Sequence, residues 1–223
     1  MTAQEQTGIT PCRIAVLISG NGSNLQALID RFQNEQHVQI AVVVSNKADA
    51  FGLERARRAG IPTKVVPNRS FDTREAFDAA LMAAIDQHEV NLVVLAGFMR
   101  ILTPGFVQHY SGRMLNIHPS LLPKYQGLNT HQRALDAGDK VHGVTVHFVT
   151  EELDGGPPVL QATVPVLEKD TADALAERVH VQEHLIYPLA VDWFARGRLA
   201  MRDDGCTLDG TLLPPTGRAF TEG

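Results

Sequence analysis

Apolar residues in the first hundred positions come in short unbroken runs: "RIAVLIS" (13–19), "VQIAVVVS" (38–45) and "VNLVVLAG" (90–97). None shows the polar alternation of a half-exposed strand, so each predicts a strand buried on both faces, as in a parallel sheet. Between them the period changes. "SNLQALIDRFQ" (23–33) and "FGLERARRAG" (51–60) carry apolar residues at helical spacing, the second closed by Gly60 and Pro62. "FDTREAFDAALMAAIDQH" (71–88) predicts a third helix, with Asp72 as N-cap and Glu75 at the third helical position.

After residue 100 the punctuation thickens, with Pro104, Pro119, Pro123, Pro157 and Pro158 setting off the strands "RMLNIHP", "HGVTVHFVT" and "PVLQATVPV" before a long helix at about 171–195. The expected class is α/β: a Rossmann-like open sheet, mostly parallel with an antiparallel part in the C-terminal half, and helices on both faces. One domain spans 13–202, its nucleotide-binding half at about 13–100 and its second, site-building half at about 101–202. Residues 1–12 are expected to be irregular, "RLAMRDDGCTLDGTLLPP" to form a hairpin within the 203–223 tail region, and "TGRAFTEG" to fray.

Composition narrows the partners. The 223 residues are 44% hydrophobic and 20% charged, with a net charge of −5, which gives no long-range attraction to a phosphate backbone, so a nucleic-acid partner is not expected. Cys12 and Cys206 lie far apart without a C-x-x-C, and predict two free thiols in a reducing compartment, the cytoplasm. The start "MTAQEQTGITPCR" lacks a basic n-region and no apolar run approaches the roughly 18 residues of a membrane span, so neither export nor a membrane role is expected.

Three chemistries compete for the loop in "AVLISGNGSNLQALID". A dinucleotide fingerprint needs a third glycine where Leu25 stands, and an acidic residue where the second strand ends in Ser45 and Asn46. A triphosphate loop needs a lysine, and none lies near Gly22. The N–H groups of Gly22, Ser23 and Asn24 at a helix start suit one phosphate monoester, with a plain capped turn as the alternative.

In "GRMLNIHPSLLPKYQG" side chains two apart on a strand share a face, so Asn116 and His118 point together and Pro119 leaves both at the strand's carboxyl edge. Thr145 and His147 repeat that spacing before a turn at Asp154-Gly155-Gly156, where the aspartate is either a turn-former or a partner for His118 that favours and orients the imidazolium.

Taken together, "ISGNGSNLQALI", "SNKADAFGLERA", "LAGFMRIL", "NIHPSLLPKY" and "ELDGGPPVLQ" closely resemble the phosphoribosylglycinamide formyltransferase family over roughly residues 12–202. The resemblance implies 10-formyltetrahydrofolate as co-substrate, with no metal, and formyl transfer to the amine of phosphoribosylglycinamide in purine synthesis by a monomer or homodimer. It implies the catalytic residues Asn116, His118 and Asp154. It assigns the ribonucleotide to Gly22, Ser23, Asn24, His180 and Glu183. It assigns the folate to Arg74, Met99, Arg100, Ile101, Leu102, Asn116, Thr150, Glu151, Glu152, Leu153 and Asp154. Two positions depart from the family pattern: Gln126 replaces a usual proline and Asn129 a usual histidine, leaving His131 as a loop-positioning residue. His180 and His184 at i, i+4 also have metal-ligand spacing but lack a third ligand nearby in sequence. The alternatives are a formyltetrahydrofolate hydrolase, which uses water as acceptor, and a non-catalytic nucleotide-binding module.

Overall fold

The computed structural model describes residues 10–221, so residues 1–9 of the expected irregular segment lie outside the described residues, and by Cys12 the chain is already in the sheet. Strands β1 (Cys12–Ile18), β2 (Val38–Ser45), β3 (Thr63–Val65), β4 (Leu92–Leu95) and β5 (Met114–His118) run parallel. They are joined through helices α1 (Ser23–Phe32), α2 (Phe51–Arg58), α3 (Arg74–Asp86) and α4 (Pro104–His109). Helix α5 (Thr130–Asp136) then leads into β6 (Val141–Phe148), which is antiparallel to both β5 and the following β7 (Pro158–Pro165). The 24-residue α6 (Ala172–Ala195) precedes β8 (Leu199–Arg202), β9 (Gly205–Leu208), β10 (Thr211–Leu212) and β11 (Arg218–Ala219). Among the described residues no helix is long and apolar enough to cross a membrane.

The main sheet runs β11-β7-β6-β5-β4-β1-β2-β3, so the winding reverses between β1 and β4. Beyond the carboxyl ends of strands at such a reversal an α/β sheet leaves a crevice for ligands. Ser19 N–H donates to Gly97 O at 3.1 Å, setting the loops after β1 and β4 side by side.

Both faces of β1 are dry, which is why its residues read as a continuous run. Ile14, Val16 and Ile18 pack with Leu25 and Leu28 of α1, Leu53 of α2 and Val179 of α6, while Ala15 and Leu17 pack with Phe77 and Leu81 of α3 and Phe106 of α4. Each such large side chain contributes roughly 1.5–3 kcal/mol by leaving water. Tyr187 of α6 adds a polar tie inside the core, its hydroxyl lying 2.8 Å from Leu95 O and 3.0 Å from Leu115 O.

Three local expectations are corrected. The N-cap of α3 is Thr73, not Asp72: Thr73 is extended and its Oγ1 accepts from Ala76 N–H at 3.1 Å, which places Glu75 at the second helical position. The expected hairpin is a three-stranded antiparallel sheet, β10-β9-β8, because Asp209 and Gly210, both at positive φ, turn the chain once more. Residues 216–221 are not frayed: β11 pairs with β7 and Phe220 N–H donates to Gln161 O at 2.7 Å.

Candidate active site

The glycine loop is held from outside by α2. Gly52 N–H donates to Gly20 O at 3.0 Å, and Arg55 donates to Asn21 O and Asn21 Oδ1, each at 2.9 Å. Gly22 stands at φ 75°, and a Cβ there would meet Gly52 Cα at 2.7 Å, so this position requires glycine twice over. Leu25, where a dinucleotide loop has its third glycine, is a fully buried core residue instead. No side chain caps α1, so its first-turn N–H groups face the crevice without an intrahelical acceptor.

Across from that helix end stands α6. Asn24 Nδ2 donates to Glu183 Oε2 at 2.8 Å, and His180 Nδ1 lies 3.0 Å from the same oxygen. Burial pushes the Glu183 carboxyl up, but the bonds from His180 and Asn24 outweigh it and hold the group below the usual range; the same bond raises His180. The five residues expected at the ribonucleotide are thus brought to one place by α1 and α6. His180 and His184 stack with ring centroids 6.4 Å apart, and among the described residues no cluster of three or more His, Cys, Asp or Glu is disposed to hold a metal.

At the carboxyl edge of β5 a second cluster forms. His118 Nε2 lies 2.8 Å from Tyr125 O, and its Nδ1 lies 3.4 Å from Asp154 Oδ2. Asp154, at φ 50°, also accepts from Gly127 N–H at 2.9 Å, so the loop after Pro123 and the loop after β6 hold each other. The side chains of His118 and Asp154 are only 8% and 9% exposed, which sets their contact in a low-dielectric pocket where charge acts strongly. Asn116, two residues before His118, completes the set through His147, whose Nε2 lies 3.1 Å from Asn116 Nδ2 and 3.8 Å from Asp154 Oδ1.

The sequence places His147 on a strand face with Thr145 but assigns it no role. Its Nδ1 is 2.8 Å from Phe148 O, a carbonyl that only accepts, so the ring proton sits on Nδ1 and Nε2 is the acceptor for the Asn116 amide. Burial pushes His147 well below the usual histidine range, keeping it in that neutral form. Leu128, which follows the Gly127 that donates to Asp154, is 76% exposed.

The residues expected at the folate fall at the start of α3, on the segment after β4, at Asn116 of β5 and on the loop after β6. Arg74 Nη2 donates to Ile101 O at 2.8 Å, which ties the start of α3 to the 99–102 segment, and Met99 N–H donates to Ser19 Oγ at 2.8 Å. Met99, Ile101 and Leu153 are exposed large hydrophobics, whereas Leu102 and Thr150 are half-buried. Glu151 turns outward to accept from Gln108 Nε2 at 2.8 Å, and Glu152 O accepts from Gly155 N–H at 3.1 Å, so these two acids shape the turn. Arg100 lies over the Phe77 ring, 5.8 Å from its centroid, with its buried Nε unpartnered. Asn129 is the αL N-cap of α5 with an exposed side chain, and His131 pairs with His142 at 3.1 Å rather than with His118.

Residues 12–191 match the formyl transferase family model. The chain is 60% identical over 210 residues to the phosphoribosylglycinamide formyltransferase of Escherichia coli (strain K12), covering 94% of this chain and 99% of that protein. It is 51% identical over 208 residues to that of Haemophilus influenzae, covering 93% and 98%. Among solved structures, the phosphoribosylglycinamide formyltransferase of Coxiella burnetii in complex with CHES is similar at a TM-score of 0.91 and 52% identity, covering 95% of this chain and 100% of that one.

Proposed function

The chain belongs to the formyl transferase family, and on that footing we propose that it transfers the formyl group of 10-formyltetrahydrofolate to the amine of 5-phosphoribosylglycinamide in de novo purine synthesis. The observation that carries this reading is the pairing of two sites on one sheet edge: an uncapped α1 start facing Glu183, and the Asn116–His118–Asp154 cluster on the next loops. A hydrolase needs the second site alone; a transferase needs both.

The phosphate sits on the N–H groups of Gly22, Ser23 and Asn24, favoured by the helix dipole. The ribose hydroxyls donate to Glu183, which His180 and Asn24 hold ionised. The folate packs against the exposed apolar side chains of Met99, Ile101 and Leu153, with its glutamate carboxylate toward Arg74.

An α-amino group has a pKa of roughly 7.7–8.0, so enough neutral amine exists near pH 7 without a strong base. The amine attacks the formyl carbon, the carbonyl oxygen takes up the charge, and collapse breaks the bond to the folate nitrogen, which gains a proton as the amine loses one. One Nδ2 N–H of Asn116 is committed to His147, leaving the other for the developing oxyanion, an interaction worth about 3 kcal/mol. His118, paired with Asp154, stabilises the same charge and delivers the proton to the leaving nitrogen. We place this activity in the cytoplasm, in keeping with two free cysteines.

Transfer of isotopic label from formyl-folate to the ribonucleotide tests the assignment. Release of the label solely as formate would support the hydrolase instead, and binding without turnover would support a non-catalytic module.

A further inference from the structure

A cavity of about 780 Å³ runs between α1 and α6, and its lining joins Ser23, the first residue of α1, to Arg55 of α2 and His184 of α6. Arg55 is half-buried and firmly held. Its Nε and Nη2 donate to Asn21 O and Asn21 Oδ1, each at 2.9 Å, its Nη1 donates to Gln26 Oε1 at 3.3 Å, and its guanidinium carbon lies 4.9 Å from the centroid of the Phe51 ring. All of these oxygens are neutral. Arg55 forms no ion pair among the described residues, whereas Arg31, Arg58, Arg178, Arg196 and Arg198 each lie 2.7–2.9 Å from a carboxylate.

The Arg55 charge is therefore fixed in place without being neutralised. A Cβ placed on Gly22 would lie 3.6 Å from Arg55 Cδ, which sets this side chain against the glycine turn. Its field also reaches α6: burial pushes His184 below the usual histidine range against the pull of Glu183, and the charges of His180 and Arg55 add to that push. The carboxylates on the same cavity have partners of their own. Asp192 lies 2.7 Å from His37 and 2.9 Å from Arg196, while Asp30 accepts from Gln26 at 2.8 Å, about 10 Å along α1 from Ser23.

The loop "SGNGSN" contains no lysine or arginine, so it brings no cation of its own. We propose that Arg55 supplies that cation from α2 and makes the acceptor site selective for a phosphorylated ribose. The inference rests on the transferase reading above, in which the N–H groups of Gly22, Ser23 and Asn24 take the phosphate. Those groups provide partial charges, and Arg55 adds a full one whose position is set before the substrate arrives. A single partly solvated charge of this kind corresponds to about threefold to tenfold in affinity.

Steady-state kinetics of Arg55→Gln and Arg55→Lys test it, with 5-phosphoribosylglycinamide and with the riboside that lacks its phosphate as acceptors. Arg55→Gln is expected to raise the ribonucleotide KM about threefold to tenfold at low ionic strength, leaving the formyl-folate KM and the riboside kcat/KM as in the wild type. High salt should narrow the gap between Arg55→Gln and the wild type. Arg55→Lys gives up the two-pronged hold on Asn21 and keeps the charge, so its ribonucleotide KM should stay within about twofold of the wild type. A ribonucleotide KM unchanged in Arg55→Gln, or a riboside kcat/KM that falls in parallel, would overturn the role in phosphate selection. An Arg55→Lys variant as impaired as Arg55→Gln would overturn it too, reducing Arg55 to a brace for the loop. Should Arg55→Gln not fold, Arg55→Lys decides alone by the same criterion. If the wild type formylates no ribonucleotide, the transferase reading fails instead, and calorimetric binding of 5-phosphoribosylglycinamide to the wild type and the two variants still tests Arg55.

Discussion

Asn116 and His147 are register partners across β5 and β6, and the amide of one donates to the imidazole of the other at 3.1 Å. Because His147 Nδ1 is already tied to Phe148 O, its Nε2 can only accept, and that fixes the Asn116 amide with Nδ2 toward His147, leaving its second N–H for the proposed oxyanion. Histidine here positions an asparagine without itself exchanging a proton.

Replacing His147 with alanine should therefore lower kcat by about 10–100-fold with little change in the ribonucleotide KM, since Asn116 loses its orientation. His147→Asn, which keeps an acceptor, should recover part of the loss. Equal activity of the alanine variant and the wild type would dismiss the positioning role.

His118→Ala and Asp154→Asn should each cut turnover by about 10²–10⁴-fold. Their circular dichroism spectra should stay native, because neither side chain belongs to the apolar clusters of the core. Near-normal turnover in either variant would count against the proton-delivery role.

Gly22→Ala should destabilise the protein by about 2 kcal/mol in urea denaturation and also raise the ribonucleotide KM, because the new Cβ meets Gly52 in a left-handed conformation. Gly20→Ala is the control: no atom lies within 4 Å of its added Cβ, and the change should stay within about 0.5 kcal/mol. Ser23→Glu should raise the KM for the ribonucleotide alone by introducing negative charge at the proposed phosphate position; an unchanged KM would locate the phosphate elsewhere.

Acid should weaken the fold between pH 6.5 and 4. Burial, reinforced by the neighbouring His131, pushes His142 down to about 4 from 6.5. Over that interval the unfolded chain takes up a proton that the folded chain refuses, so stability is full above 6.5 and falls as the pH drops toward 4, by on the order of 2 kcal/mol. Urea midpoints measured across this range should show the slope, and His142→Gln should reduce it, leaving the part that the buried His147 contributes.

The parts of this architecture legible in the sequence are those whose signals are local. Strands β1, β2 and β4 announce themselves as doubly buried runs, and the glycine loop and "NIHP" carry their geometry in adjacent residues. Asn116, His118 and Asp154 could be nominated separately, but their meeting depends on β6 returning antiparallel to β5. His147 was legible as a strand-face residue but its role was not, since its partner lies 31 residues away on the neighbouring strand. Strand β11 has two residues and pairs with Leu160 and Gln161, too short a stretch to show any period. Asp72 and Thr73 are both good caps, and only the backbone conformation at Thr73 decides between them.

The carbonyl of Tyr125, 2.8 Å from His118 Nε2, bears on how catalysis would be selective. It is an internal stand-in for a substrate acceptor, so admitting substrate to that nitrogen is an exchange of one oxygen for another rather than the gain of a new bond. A ground-state formyl oxygen is no better an acceptor than a peptide carbonyl and wins little by the trade. An oxyanion is a stronger acceptor than either, so with His118 in its proposed role the exchange favours substrate once negative charge has begun to form. The loop would thus ration the donor hydrogen bond to the transition state, and its contribution would appear in kcat while leaving affinity for the formyl donor almost untouched.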